Sequence, residues 1–134
     1  MKINKIMTKK VGTISPTSTV TACSATMKEL NIGSLVAMQN GSVEGIVTTW
    51  DITSKCIGSG KDPKDCTVFE VMTSPVYTAD FETDVMEAAR VMADQKISRL
   101  PVMQLGSLVG IVTFADISQA VDQFNNDVLG SWKT

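Results

Sequence analysis

The chain contains no histidine. That removes the commonest general base at neutral pH and the commonest metal ligand. Its three cysteines, Cys23, Cys56 and Cys66, include no Cys-x-x-Cys pair, so a zinc site would lack at least one ligand. No metal, cofactor or catalytic residue is expected, because no nucleophile–base pair can be assembled from what remains. Aromatic residues make up only 5% of the chain, so a core must rest on Val, Ile, Leu, Ala and eight Met, the last being adaptable gap-fillers. No basic run exceeds Lys9-Lys10 and the net charge is −2, which argues against a nucleic-acid partner. No apolar stretch is long enough to span a bilayer, and residues 1–6 carry no apolar signal core. The expected compartment is the cytoplasm, with no membrane partner.

What the chain does have is repetition. Gly45-Ile46-Val47-Thr48-Thr49-Trp50-Asp51 returns as Gly110-Ile111-Val112-Thr113-Phe114-Ala115-Asp116, at an offset of 65. At that offset 18 of the 46 positions from Met7 to Ile52 are identical to their partners, without a gap. This is an internal duplication. Met7-Thr8 pairs with Met72-Thr73, Ile32 with Ile97, Leu35 with Leu100 and Gly41-Ser42 with Gly106-Ser107.

Each repeat reads β-α-β-β-α. An opening apolar segment (3–8 and 68–73) precedes a short extended piece, 11–14 or 76–79. The second opening segment offers a capping box, Thr67-x-x-Glu70. Val20, Cys23, Met27 and Leu30 recur at helical spacing, as do Val85, Ala88, Ala89 and Met92. Ser18 or Thr19, and Thr83 or Asp84, suit the N-caps. Cys23 falls on the apolar face and reads as core. Two strands follow, joined at Asn40-Gly41, where both residues tolerate positive φ. Leu resists positive φ, so Leu105-Gly106 is expected to adopt another turn. The second helices are expected over 49–57, ended by Gly58, and from 114 to about 124.

The boundaries are therefore a first repeat at 1–58, a polar linker at 59–66, a second repeat at 67–124 and a tail at 125–134. Gly58-Ser59-Gly60-Lys61 lacks the spacing of a phosphate loop and reads as linker. Trp132 is a candidate anchor for the tail. One small sheet per repeat cannot bury both faces, so two repeats packed with pseudo-two-fold symmetry are expected, an α/β architecture with related clefts between the copies.

Two readings are open for the doubled Thr-x-x-Asp. In one, Thr48 and Thr113 cap helix N-termini with help from Asp51 and Asp116, and nothing more. In the other, the same groups also hold a polar ligand beside unpaired N–H groups and the positive end of a helix dipole. Capping alone tolerates Ser, Asn or Asp, yet both copies keep Gly-Ile-Val-Thr and the same Asp spacing, as expected of a duplicated site.

The Met-Thr pair near each repeat start, Ile97-Ser98-Arg99-Leu100-Pro101-Val102 and the doubled Gly-Ile-Val-Thr-x-x-Asp together resemble a tandem pair of CBS domains, the Bateman-type module named after cystathionine β-synthase. The resemblance covers nearly the whole chain. It implies a non-enzymatic module, often a disc-like homodimer, that binds AMP, ADP, ATP or S-adenosylmethionine and usually regulates an attached enzyme, transporter or channel. With no such domain read in this sequence, the regulated partner is expected to be a separate protein. It assigns Asp51 and Asp116 to ribose hydroxyls and Thr48 and Thr113 to ribose or phosphate. Thr13, Ile14, Thr78 and Ala79 would line the base, with Ile46 and Ile111, or Val47 and Val112, as apolar walls; core packing is the other reading of these last four. Arg99 is the best phosphate partner, and the first repeat has Ser34 in its place, so the two sites should differ. A surface salt bridge is the other reading of Arg99. The alternative function is a structural or oligomerisation module without nucleotide, and a third is an enzyme with an unrecognised site.

Overall fold

The computed structural model describes residues 1–132, with side chains described as far as residue 127. The chain is α/β and forms two compact units, each built on a three-stranded mixed sheet. Their composition departs from the sequence repeats in one respect. Residues Val11–Val76 make one unit, and Met1–Lys10 joins Tyr77–Thr134 in the other. Each opening segment thus packs with the body of the other copy.

In the Val11–Val76 unit the elements are β1 (Thr13–Ile14), α1 (Val20–Leu30), β2 (Ser34–Gln39), β3 (Ser42–Thr48), α2 (Thr49–Asp51) and α3 (Val68–Val71). β1 runs parallel to β2, and β2 antiparallel to β3. The Thr19 hydroxyl caps α1 by accepting the Ala22 N–H. Two further N–H groups at the start of α1 are met by the linker: Val20 donates to the Cys66 carbonyl (2.8 Å) and Thr21 to that of Pro63 (3.2 Å). The linker is therefore docked, not free. Val20, Cys23 and Met27 turn inward against Leu35, Ala37, Val47, Val68 and Val71, while Leu30 stays exposed.

α2 does not continue as the regular helix expected over 49–57. Residues Ile52–Cys56 widen into a π turn, Ile57–Ser59 tighten into a 3-10 turn, and Gly60 at φ 77° ends the run instead of Gly58. The irregular turns bring the buried Cys56 and Cys66 thiols within 3.2 Å of each other at the neck of the linker. That contact, then burial, pushes the Cys66 thiol up to about 11; burial does the same to Cys23. All three cysteines are buried free thiols and serve as packing groups.

The other unit repeats the plan with β4 (Ala79–Asp80), α4 (Val85–Gln95), β5 (Arg99–Gln104), β6 (Ser107–Thr113) and α5 (Phe114–Trp132). Here the chain's opening residues do what the linker does above. Val85 N–H donates to the Met1 carbonyl (2.8 Å), Ile3 N–H to that of Thr83 (2.8 Å), and Ile3 is fully buried among Val85, Leu100 and Val112. Asp84 is the N-cap of α4. The Met86 N–H it accepts, then the Met1 ammonium, hold its carboxyl below the usual range. That contribution is full at neutral pH and is lost as pH falls through the depressed value.

Three further expectations need correction, two in this unit and one in the Val11–Val76 unit. Leu105 and Gly106 take φ 50° and 81°, matching Asn40 and Gly41 at 53° and 78°, so both hairpins share one turn type. The paired strands dictate the turn, and Leu105, 98% exposed, accepts the strain. The Thr67 side chain makes no cap hydrogen bond, so the Thr67–Glu70 box is not formed. The helix expected to stop near 124 runs on to Trp132 through the segment read as a tail. The Trp132 side chain, the candidate anchor, lies outside the described residues.

Candidate functional site

The end of β3 turns directly into α2, and that of β6 into α5, so each motif Thr is the last strand residue and the N-cap at once. The reciprocal cap is formed in both copies. Thr48 N–H donates to Asp51 Oδ2 (2.9 Å), and Asp51 N–H to Thr48 Oγ1 (3.1 Å). Thr113 N–H donates to Asp116 Oδ2 (2.9 Å), and Asp116 N–H to Thr113 Oγ1 (3.1 Å). One carboxylate oxygen in each motif is thus committed to the helix.

The second oxygen distinguishes the copies. Asp51 Oδ1 accepts from Thr73 Oγ1 (3.3 Å) and meets Lys55 Nζ at 3.1 Å, and Asp51 is only 6% exposed. Lys55 Nζ also donates to the Val71 carbonyl (3.1 Å). Asp116 Oδ1 has no protein partner among the described residues, and Asp116 is half-buried. Lys55 was not among the residues singled out from the sequence. Its spacing of four from Asp51 on a helical turn was the signal that could have found it.

Strand register settles which expected residues lie together. Ser34 stands opposite Thr48 and Val36 opposite Ile46, while Thr13 pairs with Val36. Because alternate residues share a face, Thr13, Ser34, Ile46 and Thr48 lie on the side of the sheet away from the helix-packed core. In the other unit Arg99 stands opposite Thr113 and Pro101 opposite Ile111, on the equivalent face. Arg99 Nη1 touches Ser98 Oγ (3.2 Å) and no carboxylate among the described residues, so the salt-bridge reading of Arg99 has no partner there. Ile14 and Ala79 are placed differently, packing against the two helix-side cores. Thr78 is exposed and precedes β4.

The motif glycines have a packing reason. A Cβ on Gly45 would stand 2.6 Å from Met72 Sδ and 3.0 Å from the Thr73 carbonyl oxygen; on Gly110 it would stand 2.5 Å from Met7 Sδ and 3.0 Å from that of Thr8. The same Thr residues exchange backbone bonds with Ile46 and Ile111 at the outer edges of β3 and β6. Met-Thr and Gly-Ile-Val-Thr recur together because one seats the other. Gly45→Ala and Gly110→Ala are each expected to cost at least ~1 kcal/mol, since the thioether can move but the carbonyl cannot. Denaturant unfolding checks this, and a neutral Gly110→Ala would show that the segment yields.

Two cavities stand near these junctions. One of about 490 Å³ lies among Met27, Asn31, Ile32, Thr49 and Ile52 and contains none of the residues expected to bind ligand. The other, about 300 Å³, is lined by Ile6, Asp116, Gln119, Ala120 and Gln123. No His/Cys/Asp/Glu cluster suited to a metal is found among the described residues, and no described helix is long and apolar enough to cross a membrane.

Comparison with known proteins identifies the family and the fold. The family model for the CBS domain matches residues 3–58 and again 68–123. The CBS domain-containing protein YhcV of Bacillus subtilis is 32% identical over 129 residues, covering 96% of this chain and 90% of its own. An uncharacterized conserved protein from Pyrococcus horikoshii superposes with a TM-score of 0.81 at 34% identity, over 90% of this chain and 91% of its own. The CBS domain pair of protein MJ0100, solved with 5-methylthioadenosine and S-adenosyl-L-methionine, gives 0.82 at 29% identity, over 92% and 97%.

Proposed function

The chain belongs to the CBS domain family, and on that premise we propose that it is a non-enzymatic regulatory module sensing an adenosyl ligand: AMP, ADP, ATP or S-adenosylmethionine. The observation that carries this reading is the open Asp116 oxygen next to Thr113, with Arg99 opposite Thr113 across the strand pair. An ionised carboxylate only accepts, which suits the two adjacent hydroxyls of a ribose. A guanidinium that meets no carboxylate among the described residues suits phosphate. The MJ0100 pair, with adenosyl compounds on the same fold, supports the ligand class. The module acts on a separate protein and assembles as a homodimer, a reading that exposed Trp50, Phe114 and Phe124 favour.

The sites are unequal in this reading. Asp51 Oδ1 is already engaged by Thr73 and Lys55, so the Asp116 junction is the tighter one. A thermal-shift screen of AMP, ADP, ATP, S-adenosylmethionine and NAD tests the class, because a ligand at a hundred times its Kd adds about 2.7 kcal/mol to native stability. Arg99→Ala should weaken AMP or ATP far more than adenosine, and added salt should mimic it. Equal losses for adenosine and AMP would remove the phosphate role. A flat screen would leave the structural or oligomerisation module as the reading.

A further inference from the structure

The two units differ at the position four residues after the motif Asp, Lys55 in one and Ala120 in the other. At the 65-residue offset Asp51 corresponds to Asp116, Val71 to Ile6 and Lys55 to Ala120. In the Val11–Val76 unit the Lys55 ammonium sits between Asp51 Oδ1 and the Val71 carbonyl, 3.1 Å from each. In the other unit the corresponding sequence positions hold Asp116, whose Oδ1 has no protein partner among the described residues, Ile6, and Ala120, a methyl group on the regular helix α5 in place of a lysine on a π turn. The Ile6 carbonyl accepts no backbone N–H among the described residues. The cavity of about 300 Å³ lies there, lined by Ile6, Asp116 and Ala120. One unit therefore carries, as part of its own chain, a group that shows what the other unit's cavity can accept.

We infer that the Asp116–Ile6–Ala120 cavity is a binding site for an aliphatic primary ammonium, of the alkylamine or diamine class, which takes the place that Lys55 fills in the other unit. The chemistry is matched on three counts. An ammonium has three donors and no acceptor, and in this proposal it bonds the Asp116 carboxylate and the Ile6 carbonyl, both residues lining the cavity. Gln123 lines the same cavity and turns its amide nitrogen to Asp127 (3.1 Å), leaving its carbonyl oxygen as a third acceptor. The four-carbon stem of lysine sets the length of the apolar part. This site does not depend on the adenosyl reading, although amine and ribose would compete for Asp116 Oδ1.

The test is a titration of the full chain with n-butylammonium and with 1,4-diaminobutane, followed by amide NMR, with n-butanol as the uncharged control and no nucleotide present. Saturable shifts are expected at Asp116, Gln119, Ala120 and Gln123, and none with n-butanol. Ala120→Lys should supply the ammonium in cis and weaken binding at least tenfold; Asp116→Asn, which keeps an acceptor for the cap, should do the same. Lys55→Ala should open the Asp51 position and add a second set of shifts there. Shifts that do not saturate, that n-butanol reproduces, or that survive Ala120→Lys and Asp116→Asn would overturn the site. Absence of the second set in Lys55→Ala would overturn its equivalence to the Lys55 position. The amine titration and the nucleotide screen can fail separately, since neither probe contains the other's binding group.

Discussion

Replacing Ile3 by alanine is expected to lower stability by ~2–5 kcal/mol, the range for truncating a fully buried Ile. The loss should appear first in the unit formed by Met1–Lys10 and Tyr77–Thr134. Ile3 has no exposed surface and packs among Val85, Leu100 and Val112, so its removal leaves a cavity there. Its backbone is tied down as well, because Ile3 N–H bonds Thr83 and the Met1 carbonyl receives Val85 N–H at the start of α4. Hydrogen exchange should therefore quicken in α4 and β5 more than in α1 and β2. Val68→Ala, at the equivalent place of the other unit, should show the reverse pattern. Exposed Ile57 provides the control, where alanine should stay within about ±0.5 kcal/mol. Faster exchange in α1 and β2 for Ile3→Ala would contradict the exchange of opening segments.

That exchange marks the limit of what could be read from the residues. The repeat, the two hairpins, both motif caps and the inward faces of α1 and α4 are local patterns, and each was legible. A repeat alignment, however, is unchanged whether Ile3 packs with its own copy or with the other, because the apolar segment fits either core. Turn chemistry misled at Leu105, where an exposed side chain could take the conformation that its paired strands demanded. The Thr67–Glu70 pattern failed for a different reason: the Thr67 backbone carbonyl, not its hydroxyl, receives the Glu70 N–H. At the motif the sequence showed two equal Asp residues. Their inequality comes from Lys55 and Thr73, two residues that no ligand argument had selected, and from alanine at position 120.

The same inequality yields the largest expected effect on binding. Asp116→Ala should weaken adenosyl-ligand affinity by ~1.5–3 kcal/mol, roughly 10–150-fold, the range for a hydrogen bond to a charged group. Asp51→Ala should change that affinity little, because its second carboxylate oxygen is already held by Lys55 and Thr73. Stability should run the other way. Asp51→Ala removes the helix cap, the Thr73 bond and the partner of the Lys55 ammonium together, whereas Asp116→Ala removes the cap alone. Thermal unfolding and calorimetry on both variants read the two effects separately. Asp116→Asn refines the result, since its carbonyl can still receive the Thr113 N–H while its charge is gone: stability should recover and affinity should not. If affinity recovers with the cap, the carboxylate acts only by holding the start of α5, and the ribose role falls to the Thr113 hydroxyl. If Asp51→Ala costs as much affinity as Asp116→Ala, Lys55 gives way to ligand and the two junctions are equal.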